Sequence, residues 1–338
     1  MPSRSRDSRF LDSRFFDGRF LDGRSLDGRS RDSCSLDGRS LDSRADEDRW
    51  IWESFRSHSR TFSLATYLLP RSVQMPIATL YLYCRRVDSI ADRRVLEVGR
   101  ERALEEVRRL RDRLDETLAG HPPPHAVLWR RLADVREDIF LPREPLYELI
   151  EGAIWDLEGR PIESKDDLID YSNLVGGSVG AMMLPFLAAP SRHETLEPAA
   201  RRLGIAMQIT NIVRDVGEDI SDLDRIYVPR RWRDAHEVAE EDLRAARLSN
   251  GYPKLMEQAM ETAEHYYAES FEGVAALPAR SRYGIRAAAR MYREIMNEVR
   301  ANGYDNLSRR AYVSFRRKLF LMFYDGYHRR KRRLASEA

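Results

Sequence analysis

The sequence predicts an all-α protein built as a single large helical domain, and three observations carry that expectation. Apolar residues recur at intervals of three and four over long windows, the mark of helices with one buried stripe. No stretch sustains a two-residue alternation between turn residues, so no sheet is expected. The 338 residues are 42% apolar and 33% charged, with a mean hydropathy of −0.58, which suits a folded core and excludes a polytopic membrane protein. The 57 basic and 55 acidic residues leave a net charge of +2. That balance excludes an acidic disordered chain and a uniformly basic nucleic-acid binder.

The first segment is unlike the rest. From Asp7 to Asp42 an Asp stands at every fifth position, and Arg keeps the same period from Arg9 to Arg44, interrupted at Cys34. A period of five matches neither a helix face nor a strand face, so it offers no apolar stripe. A five-residue β-coil needs a small inward residue two places before its central Leu or Phe, where this repeat has Arg. Residues 1–45 are therefore expected to be a disordered tail. A young tandem DNA repeat, or upstream DNA read through a misplaced start, would leave the same pattern. No Met occurs between Met1 and Met75, so an alternative start there needs a non-ATG codon. The tail contributes eleven basic and eleven acidic groups through residue 49 and cancels itself.

The helical domain is expected over residues 46–326. Val95, Val98, Leu104, Val107, Leu110, Leu114 and Leu118 space an amphipathic helix over 95–118. The run His121, Pro122, Pro123, Pro124 ends it. Leu146, Leu149, Ile150, Ala153, Ile154 and Leu157 then repeat the pattern. Tyr171 to Pro190 has no charged residue, but its glycines and Pro185 make a poor membrane span. A core helix packed closely through Gly176, Gly177 and Gly180 is expected instead. Over Ala199–Ile220, Leu203, Ile205, Ile212 and Val216 form a packing side.

Two aspartate pairs carry the chemistry. Asp88 and Asp92 in D-S-I-A-D, and Asp215 and Asp219 in D-V-G-E-D, each set two carboxylates four residues apart, about 6 Å along one helix face. Like charges at that spacing disfavour a helix, so each pair reads as half of a cation clamp. Oxygen-only ligands suit Mg²⁺, with Mn²⁺ as an alternative, and Mg²⁺ commonly bridges to substrate phosphates. A single such pair in so charged a chain is equally the mark of a solvated face. The neighbours favour the clamp: Gln208 and Asn211 continue the stripe of Asp215 and Asp219, and Tyr81 and Arg85 share the face of Asp88. An arginine there can fork onto phosphate oxygens.

In these and further motifs the chain resembles the squalene/phytoene synthase family. The resemblance rests on His58-Ser59-Arg60-Thr61-Phe62, the run Tyr81 to Asp88 leading to Asp92, Tyr171-Ser172 through Gly177-Ser178-Val179-Gly180, and Leu203-Gly204 followed by Gln208, Asn211, Arg214, Asp215 and Asp219. Arg225 to Pro229, Tyr292 and Arg309 to Ser314 add to it, and coverage is roughly residues 50–325. Gly176 stands where the family usually has Ala, a departure expected to loosen helix packing. The resemblance implies an isoprenoid synthase fold with a central active-site cavity, joining two prenyl diphosphates head to head. It implies that Asp88, Asp92, Asp215, Asp219 and Asn211 hold Mg²⁺, with Gln208 in support. Arg85, Arg214, Arg225 and Arg310 would meet the diphosphate, Arg214 least clearly because its helical angle points away from Asp215. Tyr81 and Tyr292 would lie near the reacting carbons, and His58, Ser59 and Phe62 at the entrance.

Thr66 and Ala78 are small where shorter-chain relatives carry bulky aromatics, which points to a deeper tunnel and geranylgeranyl diphosphate as substrate. Phytoene, made without NADPH, is the expected product. Squalene, presqualene diphosphate or dehydrosqualene from farnesyl diphosphate is the alternative, and a non-catalytic scaffold is a third reading that the four carboxylates disfavour. Two cysteines, Cys34 and Cys84, are too few for a disulfide framework, and no apolar signal-type run opens the chain, so a cytoplasmic location is expected. From Arg309 to Arg333 ten basic residues face Asp325 alone. Interleaved with aromatics, and continued by a basic tail over 327–338, they suit peripheral contact with an anionic membrane on its inner face. A final core helix with a solvated basic tail reads equally well. No nucleic-acid role is expected, and the sequence leaves the oligomeric state open.

Overall fold

A computed structural model describes residues 43–58, 63, 66, 67, 69–318, 320 and 321. The five-residue repeat up to residue 42, Ser59, Phe62 and the basic tail 327–338 lie outside the described residues. Among the described residues there is helix and no strand. Helix α1 spans Arg44–His58, two residues ahead of the boundary expected at 46. The Ser43 hydroxyl explains this start, accepting the Asp46 backbone N–H at 3.2 Å as an N-cap does. Helices α2 (Arg71–Ser89), α3 (Val95–Val98), α4 (Arg100–Leu118), α5 (Val127–Asp138), α6 (Glu144–Glu158), α7 (Lys165–Ser172), α8 (Ser178–Leu187) and α9 (His193–Leu223) follow. The short α10 (Arg230–Ala235) and α11 (Glu240–Arg244) lead to α12 (Tyr252–Ala276) and α13 (Ala279–Ala301).

The helix expected over 95–118 is two helices. Gly99 adopts φ +83°, a conformation that glycine reaches without strain and that stops α3 before α4 begins. The apolar spacing runs on across the break, which is why periodicity alone missed it. Val107, Leu110, Leu114 and Leu118 are buried as expected. Two five-residue π-helical turns, Ile90–Arg94 and Asn173–Gly177, join α2 to α3 and α7 to α8. Such i→i+5 turns are rare and gather at functional sites.

Helix α9 runs through the middle of the fold, packed against α8, α12, α13 and the second π turn. From Gly204 to Val216 every residue except Met207 is buried, so the helix has no solvated face there. Its contact with the second π turn and α8 is backbone on backbone. A Cβ at Gly204 would stand 2.0 Å from the Gly176 carbonyl oxygen, one at Gly176 2.3 Å from the Gly204 oxygen, and one at Gly180 2.2 Å from the Ala200 oxygen. Gly176 therefore tightens the helix packing, against the expectation that it loosens it. The uncharged stretch from Tyr171 is this close-packed segment, and no helix among the described residues is long and apolar enough to cross a membrane.

Candidate active site

The first carboxylate pair sits where α2 gives way to a π turn. Tyr81 and Arg85 are buried on α2, Asp88 is half-buried one turn later, and Asp92 lies in the π turn itself. The Arg85 Nε is buried without a hydrogen-bond partner, an arrangement that calls for an anion. Cys84 beside it is no nucleophile: burial first, then the Asp88 charge, push its thiol well above the ordinary value. Tyr81 packs its ring 4.9 Å from Phe55 of α1. His58 ends α1 with Nδ1 2.7 Å from the Ser54 carbonyl, so Nδ1 carries the proton in that contact.

The second pair lies on α9 as one buried polar stripe: Gln208, Asn211, Asp215 and Asp219 are 1, 2, 3 and 5% exposed. Asn211 donates to the Gln208 side-chain oxygen at 3.3 Å, which leaves its own Oδ1 buried without a partner. A lone buried amide oxygen in line with two carboxylates is a donor set for a hard cation. Among the described residues no three His, Cys, Asp or Glu side chains converge closely enough to hold a metal by themselves. A cation held at either pair would need further oxygens from a ligand.

Two arginines grip Asp215. Arg214 folds back on its neighbour through Nε at 2.8 Å and Nη2 at 2.6 Å. This corrects the expectation from helical angle, because a side chain with four torsions can return along its own helix. Arg310 brings Nε to 2.8 Å from the same carboxylate and Nη1 to 3.4 Å from Glu218. The loop that carries Arg310 is held on α9 by Asn306, which sequence reading missed. Its carbonyl accepts the Gly217 N–H at 3.0 Å and its side-chain amide donates to the Val213 carbonyl. A Cβ at Gly217 would stand 2.0 Å from the Leu307 oxygen. The glycine between the two aspartates is thus what admits the loop.

Arg225 links the two motifs. Its backbone N–H donates to the Asp219 carbonyl at 3.0 Å, while Nη1 lies 3.3 Å from Asp92 and Nη2 donates to the Ala91 carbonyl at 2.8 Å. The same Nη1 is 3.3 Å from Asp156 on α6, a residue that sequence reading also missed. Tyr227 and Tyr171 donate their hydroxyls to Asp156 at 2.6 and 3.0 Å, and their rings stack 4.9 Å apart.

An apolar cavity of about 120 Å³ lies between α8, α9, α12 and α13, its walls including Gly180, Ala200, Gly204, Met207, Gly273 and Ala288. Gly204 in the cavity wall and Gln208, one turn later on α9, share a face, so the cavity adjoins the polar stripe. Thr66 and Ala78 are buried, but neither lines this cavity. Tyr292 is a half-buried ring on α13 packed against the core.

The family model for squalene/phytoene synthase matches residues 55–317. The chain belongs to the squalene/phytoene synthase family. Its relatives in that family include a phytoene synthase of Cereibacter sphaeroides, 38% identical over 272 residues that span 79% of this chain and 76% of that protein. A chloroplastic phytoene synthase 1 of Solanum lycopersicum is 33% identical over 269 residues, 78% of this chain and 64% of that one. Among solved structures, a dehydrosqualene synthase in complex with ligand superposes with a TM-score of 0.75 at 30% identity, covering 85% of this chain and 98% of that one. The fold is the all-helical one of these synthases.

Proposed function

We propose that the chain is a phytoene synthase, a metal-dependent prenyltransferase that joins two geranylgeranyl diphosphates head to head. The observation that carries the reading is the pairing of two carboxylate motifs, linked through Arg225, with an apolar cavity that adjoins the polar stripe. Asp88, Asp92, Asn211, Asp215 and Asp219 would hold Mg²⁺, or Mn²⁺ in its place. The ion, when bound, neutralises the charge that gathers on a departing diphosphate.

The chain's own groups supply the rest. The substrate's C1–O bond breaks with its electron pair leaving on the diphosphate, whose oxygens Arg85, Arg214, Arg225 and Arg310 can meet with forked donors. Arg214 and Arg310 rest on Asp215 until such oxygens arrive. The allylic cation left behind lies within reach of aromatic rings at Tyr81 and Tyr292, whose faces favour positive charge. It attacks the double bond of the second substrate, and a proton leaves as the cyclopropyl diphosphate closes. A second ionisation and rearrangement, ended by loss of another proton, gives phytoene with no reductant. Burial of the stripe keeps water from the cations.

Chain length is supported by α9 used as a ruler. At 1.5 Å per residue, Met207 lies about 12 Å and Leu196 about 28 Å along the axis from Asp215. Each isoprene unit adds four chain bonds, roughly 5 Å when extended, so three units reach about 15 Å, just past Met207, and four about 20 Å, well inside the cavity. The reading through farnesyl diphosphate is favoured by the resemblance to a dehydrosqualene synthase. Purified protein given either diphosphate with Mg²⁺ and no NADPH distinguishes the two by the hydrocarbon formed.

Tyr312, Phe315 and Phe320 are 48, 44 and 53% exposed, beside the exposed Arg309 and Arg316. Aromatics among cations suit a peripheral seat on an anionic membrane, where an uncharged hydrocarbon product can leave.

A further inference from the structure

Asp156 stands 64 residues after Asp92 in sequence and belongs to neither carboxylate motif. Its side chain is 9% exposed and lies in the last turn of α6, the end of a helix that disfavours negative charge. Three donors compensate it: the Tyr227 and Tyr171 hydroxyls, one on each oxygen, and the Arg225 guanidinium. The guanidinium in turn lies between two carboxylates, 3.3 Å from Asp92 and 3.3 Å from Asp156.

We infer that Asp156 is a positioning residue that divides the charge of Arg225, so that Arg225 competes less with the metal for Asp92. The inference rests on the functional reading above, in which Asp92 is a metal ligand. With Asp156 in place, Arg225 is shared, and its backbone N–H on Asp219 fixes the end of α9 relative to the π turn of Asp92. With Asn at 156, one of the two tyrosine hydroxyls faces an N–H₂ donor, and the full guanidinium charge turns onto Asp92. An undivided Arg225 competes harder with the metal for Asp92 than a shared one does. Removing partners that orient a metal's ligands commonly weakens metal binding about 10- to 100-fold.

The test is a Mn²⁺ titration followed by electron paramagnetic resonance on the full chain, with inorganic pyrophosphate present, for wild type, Asp156→Asn and Tyr227→Phe. Asp156→Asn is expected to weaken Mn²⁺ binding about 10- to 100-fold and raise the Mg²⁺ concentration for half-maximal turnover by the same factor. kcat at saturating Mg²⁺ should stay within about threefold and the melting temperature within a few degrees, because the fold keeps its other contacts. Tyr227→Phe should move the same constant in the same direction by less. Wild-type metal affinity in Asp156→Asn, or a fall in kcat that saturating metal does not restore, overturns the positioning role. Should Asp156→Asn fail to fold, unchanged Mn²⁺ affinity in Tyr227→Phe overturns it instead. A wild-type protein that binds no Mn²⁺ with pyrophosphate contradicts the functional reading itself.

Discussion

The contact of α9 with the second π turn is close enough to make one methyl group decisive. Gly204→Ala places a Cβ 2.0 Å from the Gly176 carbonyl oxygen and 2.5 Å from its carbon. Relief to an ordinary contact needs the two backbones to part by about 1.3 Å, and a gap of that size forfeits much of the surrounding packing energy. Because the obstacle is backbone, no rotamer change absorbs it. Overpacking of this kind costs about 1–3 kcal/mol, and here the upper end applies. Alanine's better helix propensity offsets about 1 kcal/mol. The net loss is about 2 kcal/mol, which in a domain of this size lowers the melting temperature by about 3–4 °C. Gly284→Ala is the matched control: on α13 its Cβ would meet only a Leu69 methyl at 3.7 Å, and it should stabilise by about 0.5–1 kcal/mol through propensity alone. Thermal unfolding followed by circular dichroism at neutral pH reads both variants. A Gly204→Ala protein as stable as wild type, or both variants shifted alike, would refute the close-packing argument.

Further outcomes follow from the cavity, one ion pair and the aromatic patch. Ala288→Phe puts a phenyl group into a cavity of about 120 Å³, a space of the order of one benzene ring. It should cut kcat/KM for the twenty-carbon diphosphate at least tenfold relative to the fifteen-carbon one, measured in competition, and equal losses for both would count against the ruler. Arg300 donates twice to Glu257, at 2.8 Å each, and this contact first, with Tyr304, holds the Glu257 carboxyl below its ordinary value. A carboxyl lowered by folding stabilises above its unfolded pKa of about 4.3 and stops doing so as pH falls through the folded one. Chemical denaturation should therefore show wild type ahead of Glu257→Gln at pH 7 by a margin that shrinks below about pH 4, and a margin that grows on acidification would contradict the sign. Vesicles containing anionic lipid should co-sediment the protein at low salt and release it at high salt. Phe315→Ala with Phe320→Ala should weaken that binding at every salt concentration, and equal binding to neutral vesicles would argue against an electrostatic seat.

Much of this site was legible because its residues are local to their helices. Gln208, Asn211, Asp215 and Asp219 follow the helical period on α9, and periodicity put them on one stripe, which the structure buries. What escaped the sequence has identifiable causes. The π turns at 90–94 and 173–177 leave no apolar rhythm to read, since each occupies a single turn. Gly99 interrupts a period that resumes in phase. Asp156 and Asn306 are joined to the motifs only by tertiary contact. Gly217 lay in plain view inside D-V-G-E-D, and its meaning depends on a loop ninety residues away. Thr66 and Ala78, expected along the tunnel from their size, are buried, and the cavity where α8, α9, α12 and α13 meet is lined by further small residues, Gly180, Ala200, Gly273 and Ala288, on four helices that no local pattern joins.

Head-to-head joining of two twenty-carbon substrates is read directly in the product. Purified protein incubated with geranylgeranyl diphosphate and Mg²⁺, without NADPH, should release phytoene identifiable by mass spectrometry, at a rate that chelation of the metal abolishes. No hydrocarbon from geranylgeranyl diphosphate, together with a thirty-carbon product from farnesyl diphosphate under the same conditions, would contradict it.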